Sequence, residues 1–96
     1  MTTLHLILKK KWFDMIASGE KKEEYREVKP FWNARLSKFM AGHPGRNIVE
    51  FKNGYGRHVP TMRFMINDVS ITHGRTEWGA PEHETVFVIS LGERVS

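Results

Sequence analysis

The amino-acid sequence predicts an α+β fold of five to six strands and two helices in a single domain. In several short segments apolar and polar residues alternate, which is typical of half-buried strands. Two other segments space their apolar residues at helical intervals. Glycines and prolines separate these segments, and 96 residues suit one domain with one modest core.

The N-terminal segment predicts a strand near residues 4–9 and then a helix near residues 11–18. Leucines alternate along the strand, and an apolar stripe follows at helical spacing. Gly19 supplies the signal that ends the helix. Trp12 and Phe13 belong to the stripe, and we interpret both as core residues rather than as surfaces that stack on bases.

A strongly charged strand is predicted next, near residues 22–28. Six charged residues and one tyrosine follow Gly19, so neither side of this strand is apolar. The plain alternative is a solvated edge strand protected by its charges. The turn at Gly19 lets Lys21 approach Glu24, and Arg26 lies on the same side as Glu24. We therefore expect these three residues to form a charge-compensated cluster, with Lys21 at the mouth of a pocket.

A second helix is predicted near residues 30–41. Pro30 opens it at a position where its missing N–H has no cost, and His43-Pro44-Gly45 ends it. Trp32 is expected first as a core anchor. An aromatic ring and the Arg35 guanidinium beside a basic cleft would also stack on a base, so Trp32 and Arg35 are candidates for that role.

The C-terminal half predicts a β-hairpin and a closing strand. The hairpin strands are expected near 47–53 and 61–71, joined by a turn that contains Asn53-Gly54-Tyr55-Gly56. A loop over 73–83 leads to the last strand near 85–91. The predicted sheet is therefore mixed and lies within one domain.

The pattern Gly19-x-Lys21-x-x-Glu24-x-Arg26 resembles the signature of the ASCH domain family. The opening strand and helix, the Lys-Pro-Phe-Trp after the signature and the final strand also lie where small members of that family have them, so the resemblance covers most of the chain. It implies a PUA-like β-barrel, related to an RNA-binding domain. It also implies that RNA or a modified nucleotide binds in a charged cleft built on the signature.

The same resemblance implies an alternative, a hydrolase. ASCH-like amidohydrolases that deacetylate acetylated cytidine use a Lys, a Thr and a Glu; Lys21 matches the first, but Glu24 stands where the Thr nucleophile would be. Glu24 would then act as a general base on water, and Lys21 would hold an oxyanion or lower the pKa of the Glu24 carboxyl, with Arg26 completing the catalytic set. The third member would be Glu77, Glu82 or Glu84. Metal-aided RNA cleavage is a further alternative.

Composition favours an anionic partner. The formal net charge is +4 and the sequence pI is about 9.6, which promotes binding to nucleic acid. The residues expected to contact nucleic acid are Lys10, Lys11, Lys22, Tyr25, Trp32 and Arg35. A protein-interaction module is the less favoured class, because it would leave the charged strand unexplained.

Several features are expected to be missing. The chain has no cysteine, and its five histidines are widely spaced, so we predict no metal site and no cofactor. No apolar run approaches the length of a membrane span. We therefore expect a cytoplasmic protein that neither enters a membrane nor requires an obligate protein partner.

Overall fold

Five strands and two helices form the described parts of the chain, residues 2–40 and 47–96, in a computed structural model. In chain order they are β1 (Thr2–Leu8), α1 (Lys10–Ala17), β2 (Glu23–Glu27), α2 (Pro30–Met40), β3 (Asn47–Asn53), β4 (Thr61–Thr72) and β5 (Val86–Arg94). One turn of 3-10 helix, Thr76–Trp78, lies between β4 and β5. The predicted α+β fold is confirmed. The predicted end of the second helix at His43 lies outside the described residues.

The strands form one mixed sheet in the order β1-β3-β4-β5-β2. β1 runs parallel to β3, and every other neighbouring pair is antiparallel, so the predicted hairpin is present as β3 and β4. The sheet curls into a half-barrel, which brings the two edge strands towards each other. Arg26 on β2 donates a hydrogen bond across this gap to the Ile7 carbonyl oxygen on β1, at 3.2 Å.

The main core fills the concave side of the sheet. Alternate side chains of β1, β3, β4 and β5 point into it, as the predicted strand patterns require. α1 adds Phe13 and Ile16, and α2 adds Leu36 and Phe39. The core position predicted for Phe13 is thus confirmed, while Trp12 is half-buried. No helix in the described ranges is long and apolar enough to cross a membrane.

The turn after α1 sets the position of the charged strand. Gly19 has a φ of +87°, a left-handed conformation that favours glycine over every residue with a Cβ. The chain then folds back, and the Lys21 N–H donates to the Met15 carbonyl oxygen at 2.9 Å. This turn directs the Lys21 side chain back towards β2, as the sequence predicts.

A second, smaller apolar cluster lies on the other face of β2 and β5. It contains Tyr25, Ala80, Val86 and Val88, with Trp78 packed against it. Burial of these side chains fixes the segment between β4 and β5 against the charged strand. The segment therefore contributes backbone and side-chain groups to the neighbourhood of Lys21.

Candidate functional site

The three charged residues of the signature form one continuous ion-pair chain. Lys21 Nζ lies 3.1 Å from Glu24 Oε1, and Arg26 Nη1 donates to Glu24 Oε2. Arg26 Nη1 also donates to the Tyr25 carbonyl oxygen at 2.7 Å. Glu24 therefore lies between two cations with both oxygens engaged, and the predicted compensation of charge is confirmed.

Lys21 is buried, so its predicted position at the mouth of a pocket is wrong. Only 2% of the residue is exposed, and its ammonium group donates to the Trp78 carbonyl oxygen. The Trp12 and Tyr25 rings enclose it, with centroids 4.9 and 4.6 Å from Nζ. The reason for the error is that segment 73–85 folds over β2 and covers the lysine.

The environment of Lys21 changes its proton affinity. Burial lowers the pKa of the Lys21 ammonium group, because the charged form loses its hydration, while the Glu24 carboxylate opposes that effect. The carbonyl oxygen of Trp78 and the faces of two aromatic rings supply further stabilisation of the cation. A perturbed lysine beside an ion-paired carboxylate is typical of functional sites, although structural networks also show it.

Tyr25 links the charged strand to the covering segment. Its hydroxyl donates to Glu23 Oε1 at 2.8 Å and accepts a hydrogen bond from the Arg75 N–H at 3.1 Å. Burial raises the pKa of the Tyr25 hydroxyl well above its usual value. The ring is thus fixed as a neutral surface that covers Lys21.

Gly79 allows the covering segment to approach α1 closely. Its φ is +101°, and a Cβ added there would lie 2.9 Å from the Trp12 ring. A side chain at position 79 would therefore push against Trp12, which itself covers the Lys21 ammonium group. Glycine at this position keeps the cover over Lys21 closed.

An open cleft of about 550 Å³ lies beside this ion-pair chain. Its lining residues are Tyr25, Arg26, Glu27, Trp32, Gly79, Pro81, Glu84 and Val86. The Arg26 guanidinium lies 5.2 Å from the centre of the Trp32 ring, so a cation and an aromatic face meet in the cleft. Arg26 is the member of the ion-pair chain that reaches the cleft, and Lys21 and Glu24 lie behind it.

No family model, curated protein or solved structure matches this chain. The resemblance to the ASCH family therefore stays a hypothesis that depends on the residues of the signature. What the structure adds is their geometry, in which Lys21, Glu24 and Arg26 are brought together beside a cleft.

The two predicted aromatic contacts, Tyr25 and Trp32, both line the cleft. Trp32 also packs against the main core, so its two predicted roles are compatible in one position. Arg35 does not join Trp32 in the cleft; it lies against the Phe31 ring and lines a separate hollow. Residues 32 and 35 are neighbours on one side of α2, so the sequence does not separate them, and packing decides which hollow each side chain lines. Contact of Arg35 with RNA stays a prediction.

The predicted lysine contacts lie outside the lining of the cleft. Lys10, Lys11 and Lys22 are exposed; Lys10 pairs with Asp14 at 2.5 Å, and Lys11 lies 4.6 Å from the centre of the Trp12 ring. Their contact with RNA stays a prediction. Any such contact would be with a strand that extends beyond the cleft.

Among the three acidic candidates for the cleft, the structure places Glu84 in its lining. Glu77 and Glu82 are exposed and pair with Arg75 and His83, at 3.6 and 3.9 Å. Within the described ranges, no three His, Asp or Glu side chains converge as metal ligands would. The cleft therefore presents one guanidinium and two carboxylates, those of Glu27 and Glu84.

A second buried carboxylate, Glu50 on β3, was missed by sequence reasoning. Arg63 donates to it from Nε at 2.8 Å, and His5 donates to its other oxygen from Nδ1 at 3.0 Å. The Arg63 hydrogen bond lowers the pKa of the Glu50 carboxyl more than burial raises it. The available signal was an acid between the apolar residues Val49 and Phe51, and this acid faces Arg63 once the hairpin register is known.

Proposed function

We propose that the cleft binds a base of RNA or a modified nucleoside. In this proposal the base lies against Trp32, and Arg26 and the two carboxylates of the cleft contact its polar edge. The observation that carries the proposal is the combination of Trp32, Arg26 and Glu84 in one open cleft.

The size and lining of the cleft support a small planar ligand. About 550 Å³ falls within the usual range for small-molecule sites. Trp32 and Tyr25 supply aromatic surface, and base–aromatic stacking is the common way in which single-stranded RNA is recognised. The chain's net charge of +4 favours approach of an anionic strand.

The polar groups of the cleft suit a base better than a phosphate. A carboxylate such as Glu84 accepts hydrogen bonds from exocyclic amino groups, whereas it repels a phosphate. Arg26 is held by Glu24 and by two backbone carbonyl oxygens, so its guanidinium is positioned before any ligand enters. Such preorganisation lowers the entropic cost of binding.

Binding is favoured over hydrolysis because Lys21 and Glu24 are engaged with each other. Both oxygens of Glu24 contact cations, and neither Lys21 nor Glu24 lines the cleft. A general base must reach the proton of an attacking water, and Glu24 is only 5% exposed and does not line the cleft. The hydrolase alternative depends instead on Glu84, which lines the cleft together with Arg26.

The experiment compares cytidine and N4-acetylcytidine as ligands of the full chain. Calorimetric titration is carried out on the wild type, on Trp32→Leu and on Glu84→Ala, with Glu82→Ala as the matched control outside the cleft. We expect Trp32→Leu to weaken binding by at least about fivefold, the lower end of base–aromatic stacking. Glu84→Ala should weaken it as well, and Glu82→Ala should leave it unchanged.

Two outcomes would contradict the proposal. One is a wild type that binds neither nucleoside nor a short single-stranded RNA at low salt. The other is equal affinity of the wild type, Trp32→Leu and Glu84→Ala with thermal melting that shows all three folded. Release of acetate from N4-acetylcytidine, lost in Glu84→Ala, would favour the hydrolase instead.

A further inference from the structure

A strip of stacked side chains leads out of the cleft across the first turns of α2. Trp32 lies in the cleft, and its ring and that of Phe31 pack in a T-shaped arrangement, at a centroid distance of 4.7 Å and an interplanar angle of 79°. Arg35 then lies over Phe31, 3.6 Å from its ring centre. These three residues, Trp32, Phe31 and Arg35, are called the α2 strip. Phe31 is 51% exposed, so its ring is accessible in the middle of the strip.

The α2 strip ends in a second, cationic hollow of about 320 Å³. His5, Arg35 and Lys38 line it above the apolar side chains of Leu4 and Phe39. In the part of the chain that the structure describes, neither Arg35 nor Lys38 has an acidic partner. The hollow therefore carries positive charge that no nearby carboxylate neutralises.

Two of these side chains, Arg35 and His5, are held in place by hydrogen bonds. Arg35 Nη1 donates to the Phe31 carbonyl oxygen at 2.8 Å, which keeps the guanidinium over the ring. His5 Nδ1 donates to Glu50 Oε1, which leaves Nε2 as the free nitrogen of the ring. Both oxygens of Glu50 are already engaged, by His5 and by Arg63, so Glu50 does not neutralise Arg35 or Lys38.

We propose that the hollow binds a phosphate of single-stranded RNA, one nucleotide beyond the base that occupies the cleft. The strand crosses α2 over Phe31, which stacks on a base between the two sites. This inference rests on the proposed function, and it divides the work between two surfaces. The cleft, with its carboxylates, takes the base, and the hollow takes the phosphate.

The separation of the two sites favours a strand over a single nucleotide. The cleft and the hollow have no lining residue in common, and Phe31 lies between them, in contact with Trp32 on one side and with Arg35 on the other. A ligand that fills both sites must therefore cross Phe31. A charged groove with an exposed aromatic ring along it is the usual arrangement for single-stranded nucleic acid. The planar fork of a guanidinium also suits the paired oxygens of a phosphate.

The test uses Phe31→Leu and Arg35→Gln with two matched controls on the turn between β3 and β4. Tyr55→Leu removes an aromatic ring that is also exposed. Arg57→Gln removes one positive charge from the turn that contacts the Leu8 end of β1, where the Gly54 N–H donates to the Leu8 carbonyl oxygen, whereas the hollow lies near His5. Affinity for a fluorescent oligocytidylate, whose bases carry the exocyclic amino group that suits Glu84, is measured by anisotropy over a range of salt concentrations. Affinity for cytidine is measured on the same proteins.

We expect Phe31→Leu to weaken oligocytidylate binding by at least about fivefold, since one stacked base is lost. Arg35→Gln should lower the slope of log affinity against log salt by about 0.7, the contribution of one phosphate contact on a single strand. Cytidine affinity should be unchanged in Arg35→Gln, because Arg35 does not line the cleft, and should fall less than oligocytidylate affinity in Phe31→Leu. The two control variants should behave as the wild type does in every measurement.

The inference is overturned if Phe31→Leu and Arg35→Gln affect oligocytidylate no more than their controls. In that case a loss of cytidine binding in Trp32→Leu would still support the proposed function. The reverse result, oligocytidylate binding that needs Phe31 and Arg35 but not Trp32, would refute the cleft as the base site and this inference with it. A wild type that binds cytidine but not oligocytidylate at low salt would overturn this inference alone, and a wild type that binds neither would overturn both.

Discussion

Replacement of Glu24 by glutamine should destabilise the fold strongly, because it leaves Lys21 as a buried charge without a counter-ion. Glu24 is 5% exposed and Lys21 is 2% exposed, so water cannot take the place of the carboxylate. Removal of one partner of a buried ion pair costs about 3–5 kcal/mol. This is a large fraction of the roughly 5–15 kcal/mol by which a domain is stable.

The matched control is Glu27→Gln on the same strand. Its side chain is 73% exposed and lies 3.7 Å from Lys29, so its loss should cost no more than about 1 kcal/mol. Urea denaturation of each variant gives the free energy of unfolding. The comparison separates the effect of burial from that of a lost charge.

A double-mutant cycle tests the physical reason. Lys21→Met removes the buried charge, so Glu24→Gln should cost less in that background than in the wild type, with a coupling on the order of 1–3 kcal/mol. The explanation is refuted if Glu24→Gln changes the free energy of unfolding no more than Glu27→Gln does. It is refuted also if the two substitutions are simply additive.

Three further predictions concern pH and one glycine. The pKa of Lys21 in the folded protein lies below its ordinary value of 10.5, so between these two pKa values the unfolded chain binds more protons than the folded one. The free energy of unfolding of the wild type, relative to that of Lys21→Met, should therefore rise with pH over this interval. Urea denaturation at several pH values, all below the pH at which tyrosine ionises, checks this. Glu50 has a lowered pKa, so the stability it contributes is present above its ordinary pKa of 4.5 and is lost as the pH falls through its folded value. Glu50→Gln should cost about 1–3 kcal/mol at neutral pH, and this difference should shrink in acid. Gly79→Ala should lower the melting temperature, because backbone strain at its positive φ costs about 1–3 kcal/mol. The comparison is Gly54→Ala, since Gly54 has a similar φ but no atom close to where its Cβ would lie. The difference between the two variants isolates the contact with Trp12.

Local patterns in the sequence were enough to predict the secondary structure. The hairpin strands were expected near 47–53 and 61–71, and the structure has Asn47–Asn53 and Thr61–Thr72. Alternation of side chains and the glycine-containing turn are local signals, so one chain suffices to detect them. Gly19 likewise predicted both the end of α1 and the turn that brings Lys21 to Glu24.

The surroundings of the site depend on contacts that are distant in sequence. The Trp78 carbonyl oxygen accepts from Lys21 across 57 positions, and no local pattern predicts that contact or the burial of the lysine. The choice of Glu84 over Glu77 and Glu82 likewise depends on how the segment before β5 folds over β2. The position of Arg35 was missed because the direction in which α2 packs is not fixed by its sequence alone.

The most direct test of the account is an NMR titration of the ¹⁵N-labelled protein with cytidine. The chain has three tryptophans, so each indole N–H gives a separate signal that substitution can assign. We expect the Trp32 indole and the Arg26 side-chain N–H signals to shift as cytidine is added, and both to reach saturation at the same cytidine concentration. The claim that this cleft is the binding site would be contradicted if the signals of Trp32 and Arg26 did not shift while those of other residues shifted and reached saturation. It would be contradicted also if no signal shifted.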